Sequence, residues 1–241
     1  MSKTIIYGKY PVKNSFLGKS LPLRVLLNEK HPDQEIILLC KKMSVPYELL
    51  SVEELDRRTD NQNHQGCLAV LREYSFSSLD DVIKDDDKNH TIVILDGIQD
   101  PVNFASIIRS SVAFDVDGII ISKRNQVGMT PTVRKIATGA EELIDIVQVD
   151  SLIDTIKKLR KNNYWIISSA GEGKDYYNNI NYQGKFALVI GSEGNGVSPI
   201  IRKLSDYVAS IPLPGKVKAL NASIACAVFL SEINSFRFKN K

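Results

Sequence analysis

Apolar strands alternate with helical segments from residue 91 onwards, and this alternation constrains the possible fold more than any other feature. Six short apolar runs are typical of strands: 91–95, 118–121, 143–149, 165–170, 186–190 and 207–211. Helical segments lie between them at 103–114, 130–142, 151–162 and 199–204, and a last helix begins near Asn221. Parallel strands that helices cover on both faces have such continuous apolar runs. The pattern predicts an α/β fold with a mainly parallel sheet.

The first 74 residues have a similar mixed pattern in shorter form. Apolar runs at 23–27, 47–52 and 67–71 accompany a helical segment at 33–43, which predicts a small α/β domain. Residues 75–90 are instead small and acidic, and such a composition buries too little apolar surface to fix a fold. We therefore expect domains at 1–74 and 91–241, joined by a linker at 75–90.

Composition argues against several classes of protein. No run of the 241 residues is apolar for long enough to span a membrane, and the N-terminal residues lack the apolar core of a signal peptide. We therefore expect a cytoplasmic protein. Cys40, Cys67 and Cys226 are far apart in the sequence and include no Cys-x-x-Cys pair. We interpret them as small core residues and expect neither a disulfide framework nor a metal site.

The charge pattern permits an anionic partner without requiring one. The chain has 31 Lys and Arg against 28 Asp and Glu, a net charge of +3. A basic stretch near the N-terminus contains Lys3, Lys9, Lys13, Lys19 and Arg24. A solvated basic face and an RNA-facing surface explain this stretch equally well.

Two glycine-bearing turns bracket one short helix in the C-terminal region. The sequence GSEGNG at 191–196 follows the fifth predicted strand, and IPLPG at 211–215 follows the sixth. Glycine lets a ligand approach the main chain closely, and ligands of open α/β sheets bind beyond the carboxyl ends of strands. The turns therefore predict a pocket lined by backbone groups. Their position late in the chain does not fit a dinucleotide fingerprint.

Four polar residues accompany this predicted pocket, and each also has a structural explanation. Asn103 would satisfy free backbone groups at a helix start, and Arg109 would solvate an exposed helix face. Glu193 is explained as a turn cap, a ligand for a substrate hydroxyl or a surface acid, and Asn221 as a helix N-cap. The helical phase places Asn103 and Arg109 on different faces. These groups suit acid–base work on an alcohol without a metal or thiol nucleophile.

Three segments of the chain together resemble the motifs of the SpoU (TrmH) family of RNA ribose 2′-O-methyltransferases. Asp100-Pro-Val-Asn103 with Arg109 resembles the first motif, 191–196 resembles the second, and Ile211-Pro-Leu213 with Leu220-Asn-x-Ser223 resembles the third. Tyr7-Gly8 and His64-Gln-Gly66 are similar to the L30e-like substrate-binding domain of the branch that methylates guanosine in 23S rRNA, the RlmB type.

The resemblance implies a fold and a chemistry. It implies a SPOUT domain with a deep trefoil knot, a homodimer, and 23S rRNA as the substrate partner. It implies S-adenosylmethionine as the cofactor, held at Gly191, Gly194, Gly196, Ile211, Leu213 and Leu220. It also implies that Arg109 activates the 2′-hydroxyl, while Asn103, Glu193 and Asn221 shape the site.

Two positions depart from the family pattern. Ala219 stands where the third motif usually has serine, so the hydrogen bond of that hydroxyl is missing, and Ala105 stands where glycine is common. Two further hypotheses stay open beside rRNA methylation. One is an RNA-binding relative that has lost catalysis and acts in ribosome assembly, and the other is the same chemistry on tRNA.

Overall fold

The computed structural model describes residues 4–18 and 21–239. Its strands are β1 Thr4–Tyr7, β2 Arg24–Asn28, β3 Tyr47–Leu50, β4 Cys67–Leu71, β5 His90–Asp96, β6 Gly118–Ser122, β7 Asp145–Val149, β8 Tyr164–Ser169, β9 Asp175–Tyr176, β10 Lys185–Gly191 and β11 Tyr207–Ser210. Its helices are α1 Lys9–Asn14, α2 Gln34–Lys42, α3 Val52–Arg58, α4 Leu79–Val82, α5 Pro101–Ala113, α6 Pro131–Ala137, α7 Leu152–Lys161, α8 Pro199–Leu204 and α9 Ala222–Lys239.

The chain divides into two compact units. The first combines Met1–Ser75 with Met129–Leu143, and the second combines Phe76–Gly128 with Ile144–Lys241. The first unit has a four-stranded sheet in the order β1-β4-β2-β3, in which β4 runs antiparallel to both neighbours. Asp33 is the N-cap of helix α2, and its side chain accepts hydrogen bonds from two backbone N–H groups. The predicted small α/β domain is confirmed.

Residues 129–143 differ from the single helix expected at 130–142. Helix α6 ends at Ala137, and a 3₁₀ turn follows at Ala140–Glu142. Thr138 and Gly139 between them have positive φ angles of 54° and 88°, which interrupt the helical hydrogen bonding. The buried Arg134 pairs with Glu141 and Glu142 of the same segment, and its Nη1 group donates to the Arg72 carbonyl oxygen over 2.9 Å, which joins the segment to the rest of the first unit.

The second unit contains a seven-stranded sheet in the order β7-β6-β5-β10-β8-β11-β9, and every neighbouring pair is parallel. Ile156 of α7 and Ile201 of α8 join the core on one face of the sheet. Helices α5 and α9 pack against each other, and Phe236 of α9 meets the Tyr182 ring, which in turn meets Phe186 of β10. The predicted mainly parallel sheet is confirmed.

Residues 75–90 are not the unstructured linker that their composition predicted. Ser77 forms a parallel bridge with Val147, and helix α4 carries Val82 fully into the core. Ser78 and Asp81 form a reciprocal capping box at the start of that helix. The buried valine and the capping box order the segment. The acidic composition of residues 75–90 as a whole does not reveal either feature.

The strand order brings several strand ends together. Strand β10 lies between β5 and β8, and β11 lies on the other side of β8. Because these strands are parallel, their carboxyl ends meet at one edge of the sheet. The segments that leave this edge are the glycine turn at 191–196, the loop at 211–221 and the start of α5. The trefoil knot implied by the resemblance stays a prediction.

Candidate active site

Asn103, Glu193 and Asn221 form a hydrogen-bonded triad, although they are far apart in sequence. The Asn103 Nδ2 and Asn221 Nδ2 groups each donate to Glu193 Oε1 over 2.6 Å. Asn221 Nδ2 also lies 2.9 Å from Asn103 Oδ1. The structure therefore brings together three of the four polar residues that the sequence singled out.

Local structure fixes each member of the triad. Asn103 is only 6% exposed and lies in the first turn of α5, which Asp100 caps by accepting from the Val102 and Asn103 N–H groups. Asn221 Oδ1 accepts from the Ser223 N–H over 2.9 Å, in the manner of a helix N-cap. The capping interpretation of Asn221 is confirmed. It does not exclude a role in the site, because the cap uses Oδ1 and the triad uses Nδ2.

A cavity adjoins the triad at the carboxyl edge of the sheet. Glu193 lies in its wall with five residues predicted to hold a ligand: Gly191, Gly196, Ile211, Leu213 and Leu220. Gly194, the sixth predicted residue, instead lines a neighbouring pocket together with Asp100 and Asn103. The prediction that all six residues line one cavity therefore holds for five of them.

The glycine turn is closely packed at its base and open at its tip. A Cβ atom on Gly191 would lie 2.0 Å from the Gly196 carbonyl carbon, whereas one on Gly194 would meet nothing within 4 Å. The Gly196 N–H donates to Ser192 O over 2.8 Å, and the Ser198 N–H donates to Asp96 Oδ2 over 2.7 Å. The second bond ties the turn to the end of β5.

Arg109 lies outside this arrangement. It is exposed on α5, and it makes no hydrogen bond or ion pair with any part of the chain that the structure describes. It is not among the residues that line the cavity. This agrees with the helical phase, which places Arg109 and Asn103 on different faces of α5.

Several residues of the cavity were missed from the sequence. They are Ser169, Ala170 and Gly171 after β8, Lys218 in the last loop, and Ala222, Ala225 and Phe229 on α9. Ala219, the departure from the third motif, also lines the cavity. Gly171 offered a signal, since it is a glycine directly after a predicted strand. Gly171 reaches the cavity because β8 lies next to β10 in the sheet, and the sequence alone does not reveal this order of strands.

The histidine and the basic stretch near the N-terminus have structural explanations. His64 is 8% exposed, and its Nδ1 accepts from the Gly66 N–H over 3.0 Å while Nε2 donates to Asp56 Oδ1 over 3.0 Å. The described members of the basic stretch all pair with acids: Lys9 with Asp33, Lys13 with Glu35, and Arg24 with Glu48. Lys3 and Lys19 lie outside the described residues.

The thiols are core groups, as predicted. Cys40, Cys67 and Cys226 are all buried, and burial raises the pKa of Cys67 to about 11 and that of Cys226 to about 12. Over residues 4–18 and 21–239, His, Cys, Asp and Glu form no group of three or more that could hold a metal ion. No helix in the same ranges combines the length and apolar character needed to cross a membrane.

A parallel sheet with a cavity beyond its carboxyl edge is the typical arrangement of an α/β domain that binds a small ligand. Comparison with known proteins then narrows this class. Residues 90–231 match the SpoU rRNA Methylase family, and residues 5–77 match a domain described as RNA 2′-O ribose methyltransferase substrate binding. The chain belongs to the SpoU (TrmH) family of RNA methyltransferases, which confirms the resemblance read from its motifs.

Relatives match over the whole chain. A protein of Staphylococcus saprophyticus, named for the TrmH family of tRNA/rRNA methyltransferases, is 33% identical over 246 residues, which cover 100% of this chain and 98% of the relative. A protein with the same name in Staphylococcus aureus strain COL is 33% identical over 239 residues, covering 97% of this chain and 96% of the relative.

Solved structures share the fold. The SpoU methyltransferase AviRb from Streptomyces viridochromogenes, in complex with AdoMet, superposes with a TM-score of 0.82 at 21% identity, covering 98% of this chain and 91% of that chain. The AdoMet-bound rRNA methyltransferase from Sinorhizobium meliloti superposes with a TM-score of 0.80 at 22% identity, covering 97% of this chain and 87% of that chain.

Proposed function

We propose that this protein transfers a methyl group from S-adenosylmethionine to the ribose 2′-hydroxyl of a guanosine in 23S rRNA. The observation that carries the proposal is the Asn103–Glu193–Asn221 triad beside a cavity that the glycine turn lines. All three family motifs contribute one residue to this triad. The match of residues 5–77 to a 2′-O ribose methyltransferase substrate-binding domain supports ribose in RNA as the acceptor.

The cavity fits the cofactor. Gly196 lines the cavity, and a Cβ atom there would meet nothing within 4 Å, so the main chain of the turn is open to a ligand at this point. Ile211, Leu213 and Leu220 provide apolar contacts, which suit an adenine ring. When bound, S-adenosylmethionine supplies a methyl group on a positively charged sulfur.

The protein residues have distinct roles in this proposal. Glu193 holds the two amides in fixed orientations, and the triad positions the ribose of the RNA. Arg109, with its permanent positive charge, orients the 2′-hydroxyl and stabilises the negative charge that develops on its oxygen. Alignment of the hydroxyl with the methyl group supplies much of the rate enhancement.

The working molecule in this proposal is a homodimer. Ser106 and Ser110 of α5 line a groove together with the apolar side chains of Ile224, Ala227 and Val228 of α9, and Ile224 is 53% exposed. Such a groove with an exposed apolar side chain suits helix packing between two copies of the chain. Because Arg109 does not line the cavity of its own chain, we propose that the dimer places it at the cavity of the partner.

The proposal also assigns a role to each part of the chain, a cellular compartment and an alternative RNA substrate. The first unit, which contains the predicted domain at 1–74, binds RNA, the second unit carries the chemistry, and the protein acts in the cytoplasm. The same chemistry on tRNA is the second candidate, because the relatives in Staphylococcus are named for both tRNA and rRNA.

One experiment tests the chemistry and the substrate together. Purified protein is incubated with methyl-labelled S-adenosylmethionine and either unmodified 23S rRNA or unmodified tRNA. We expect label in the rRNA, and a loss of at least about 100-fold in rate for Arg109→Ala, the size expected when a charge-stabilising group is removed.

The control is Arg202→Ala, which removes an exposed arginine from α8. Label in tRNA alone would contradict the rRNA assignment, and RNA binding without transfer would indicate an inactive relative.

A further inference from the structure

Two charged side chains line the cofactor cavity within the part of the chain that the structure describes, and only one of them has a partner. Glu193 accepts from the amides of Asn103 and Asn221. Lys218 is exposed and makes no hydrogen bond or ion pair with any described residue. An unpaired ammonium group in a cavity wall is available to a ligand.

The charge of Lys218 is not neutralised by acids nearby in sequence. The segment 207–231 contains Lys216 and Lys218 and no Asp or Glu. The main chain at Lys218 faces the segment after β8, since a Cβ atom on Gly171 would lie 3.9 Å from the Lys218 carbonyl oxygen. Lys218 is therefore held where two of the cavity's segments meet, while Lys216 is exposed in the same loop and does not line the cavity.

We infer that Lys218 binds the carboxylate of the cofactor's amino-acid tail. This inference rests on the proposed function, which supplies the cofactor. The cofactor has one anionic group, that carboxylate, and its sulfonium and ammonium groups repel a lysine. A free lysine in the wall therefore attracts the tail end of the molecule and disfavours the sulfonium beside it. Lys218 is a positioning residue, because it orients the cofactor without touching the reacting atoms.

The test compares two ligands that differ in the tail. S-adenosylhomocysteine carries the carboxylate, whereas 5′-methylthioadenosine keeps the adenosine and thioether and lacks the amino-acid tail. Isothermal titration calorimetry on the full chain gives both affinities. We expect Lys218→Ala to weaken S-adenosylhomocysteine roughly tenfold, the size expected for a charge-assisted hydrogen bond that is partly exposed to solvent. The affinity for 5′-methylthioadenosine should stay unchanged.

Two further variants test whether the effect comes from a specific contact of Lys218 with the tail or from positive charge in this loop in general. Lys216→Ala removes the same charge two residues away, and we expect it to leave both affinities unchanged. Lys218→Arg should keep the affinity for S-adenosylhomocysteine within about threefold of the unaltered protein, because a cation remains. Added salt should weaken S-adenosylhomocysteine binding less in Lys218→Ala than in the unaltered protein.

Several outcomes would overturn the inference. Equal losses for the two ligands, or an equal loss in Lys216→Ala, would show that Lys218 does not recognise the tail. Unchanged S-adenosylhomocysteine affinity combined with weaker RNA binding would assign Lys218 to an RNA phosphate instead. If the unaltered protein bound neither ligand, the proposed function itself would fail, and this result is distinguishable from the others.

Discussion

Glu193 Oε1 accepts hydrogen bonds from two side-chain amides, each 2.6 Å away. A carboxylate suits this position, because an ionised acid accepts such bonds more strongly than a neutral group. Asn103 and Asn221 are also bonded to each other over 2.9 Å, so the orientation of each amide depends on the other. The loss of any one member should therefore release the other two.

Replacing Asn103 by aspartate should destabilise the protein at neutral pH. Asn103→Asp sets a second carboxylate against Glu193 in a largely buried position and removes an N–H donor. We expect the free energy of unfolding at pH 7 to fall by about 1–3 kcal/mol, measured by urea denaturation. The repulsion raises the pKa of the new carboxyl group in the folded state, so its neutral form is favoured there. Stability should therefore return as the pH falls and the pair takes up a proton.

Asn195→Asp is the matched control for that substitution. Asn195 is exposed in the same turn as Glu193 and makes no hydrogen bond with the described part of the chain. The control adds an equal charge, and we expect it to change the free energy of unfolding by less than about 0.5 kcal/mol. Equal losses in the two variants would show that the triad does not stabilise the fold.

The sequence identified the members of the triad but not their bonds. Asn103, Glu193 and Asn221 all follow predicted strands, and the rule for open α/β sheets placed them near one pocket. Their side-chain contacts could not be predicted, because the order of strands in the sheet decides which strand ends are neighbours. The helical phase of Arg109 did predict its separation from Asn103.

Among the elements of the site, the glycine turn is packed most closely at Gly191, so its structure depends on that position more than on Gly194. A methyl group on Gly191 would meet the Gly196 backbone at 2.0 Å, so Gly191→Ala must displace the turn or the end of β10. We expect a loss of about 1–3 kcal/mol in the free energy of unfolding, as for other overpacked sites. Binding of S-adenosylhomocysteine should weaken as well, because the displaced main chain lines the cavity.

Gly194→Ala serves as the comparison, since its methyl group would meet nothing within 4 Å and no positive φ is involved. In thermal unfolding and calorimetric titration, Gly194→Ala should therefore behave like the unaltered protein, whereas Gly191→Ala should be less stable and bind S-adenosylhomocysteine more weakly. Similar behaviour of the two variants would contradict the close packing at the base of the turn.

Elements with long apolar runs were predictable, and short or interrupted ones were not. The six predicted strands all appear in the second unit as β5, β6, β7, β8, β10 and β11. Strand β9 is two residues long and pairs with β11 through its backbone, so it leaves no apolar pattern in the sequence. The helix expected at 130–142 breaks at Thr138 and Gly139, where positive φ angles set the conformation.

At the scale of the whole molecule, a segment from the middle of the chain completes the first unit. Residues 129–143 belong with 1–75, and Val133 and Ala137 of α6 are fully buried. Burying a single valine side chain contributes about 2 kcal/mol. A fragment of residues 1–75 should therefore unfold at lower urea than the same fragment fused to 129–143 through a flexible linker, with a difference of at least about 2 kcal/mol.

Backbone hydrogen exchange of the two fragments provides a second measurement. We expect slower exchange of the β1 amides in the fusion, because α6 packs against β1. Equal stability and equal exchange would contradict the assignment of 129–143 to this unit. This packing could not be predicted from local composition, because Arg134 and Val133 contact the first unit only when the chain returns to it from the second unit.

The central claim is that the methyl group reaches the ribose 2′-oxygen, and the product nucleoside tests it most directly. 23S rRNA methylated by the protein with labelled S-adenosylmethionine is digested to nucleosides and analysed by mass spectrometry. We predict a labelled guanosine that carries its methyl group on the ribose, and no label when the target nucleotide is a deoxynucleotide, which lacks the 2′-hydroxyl. Label on the base, or transfer that persists on the deoxynucleotide, would contradict the account.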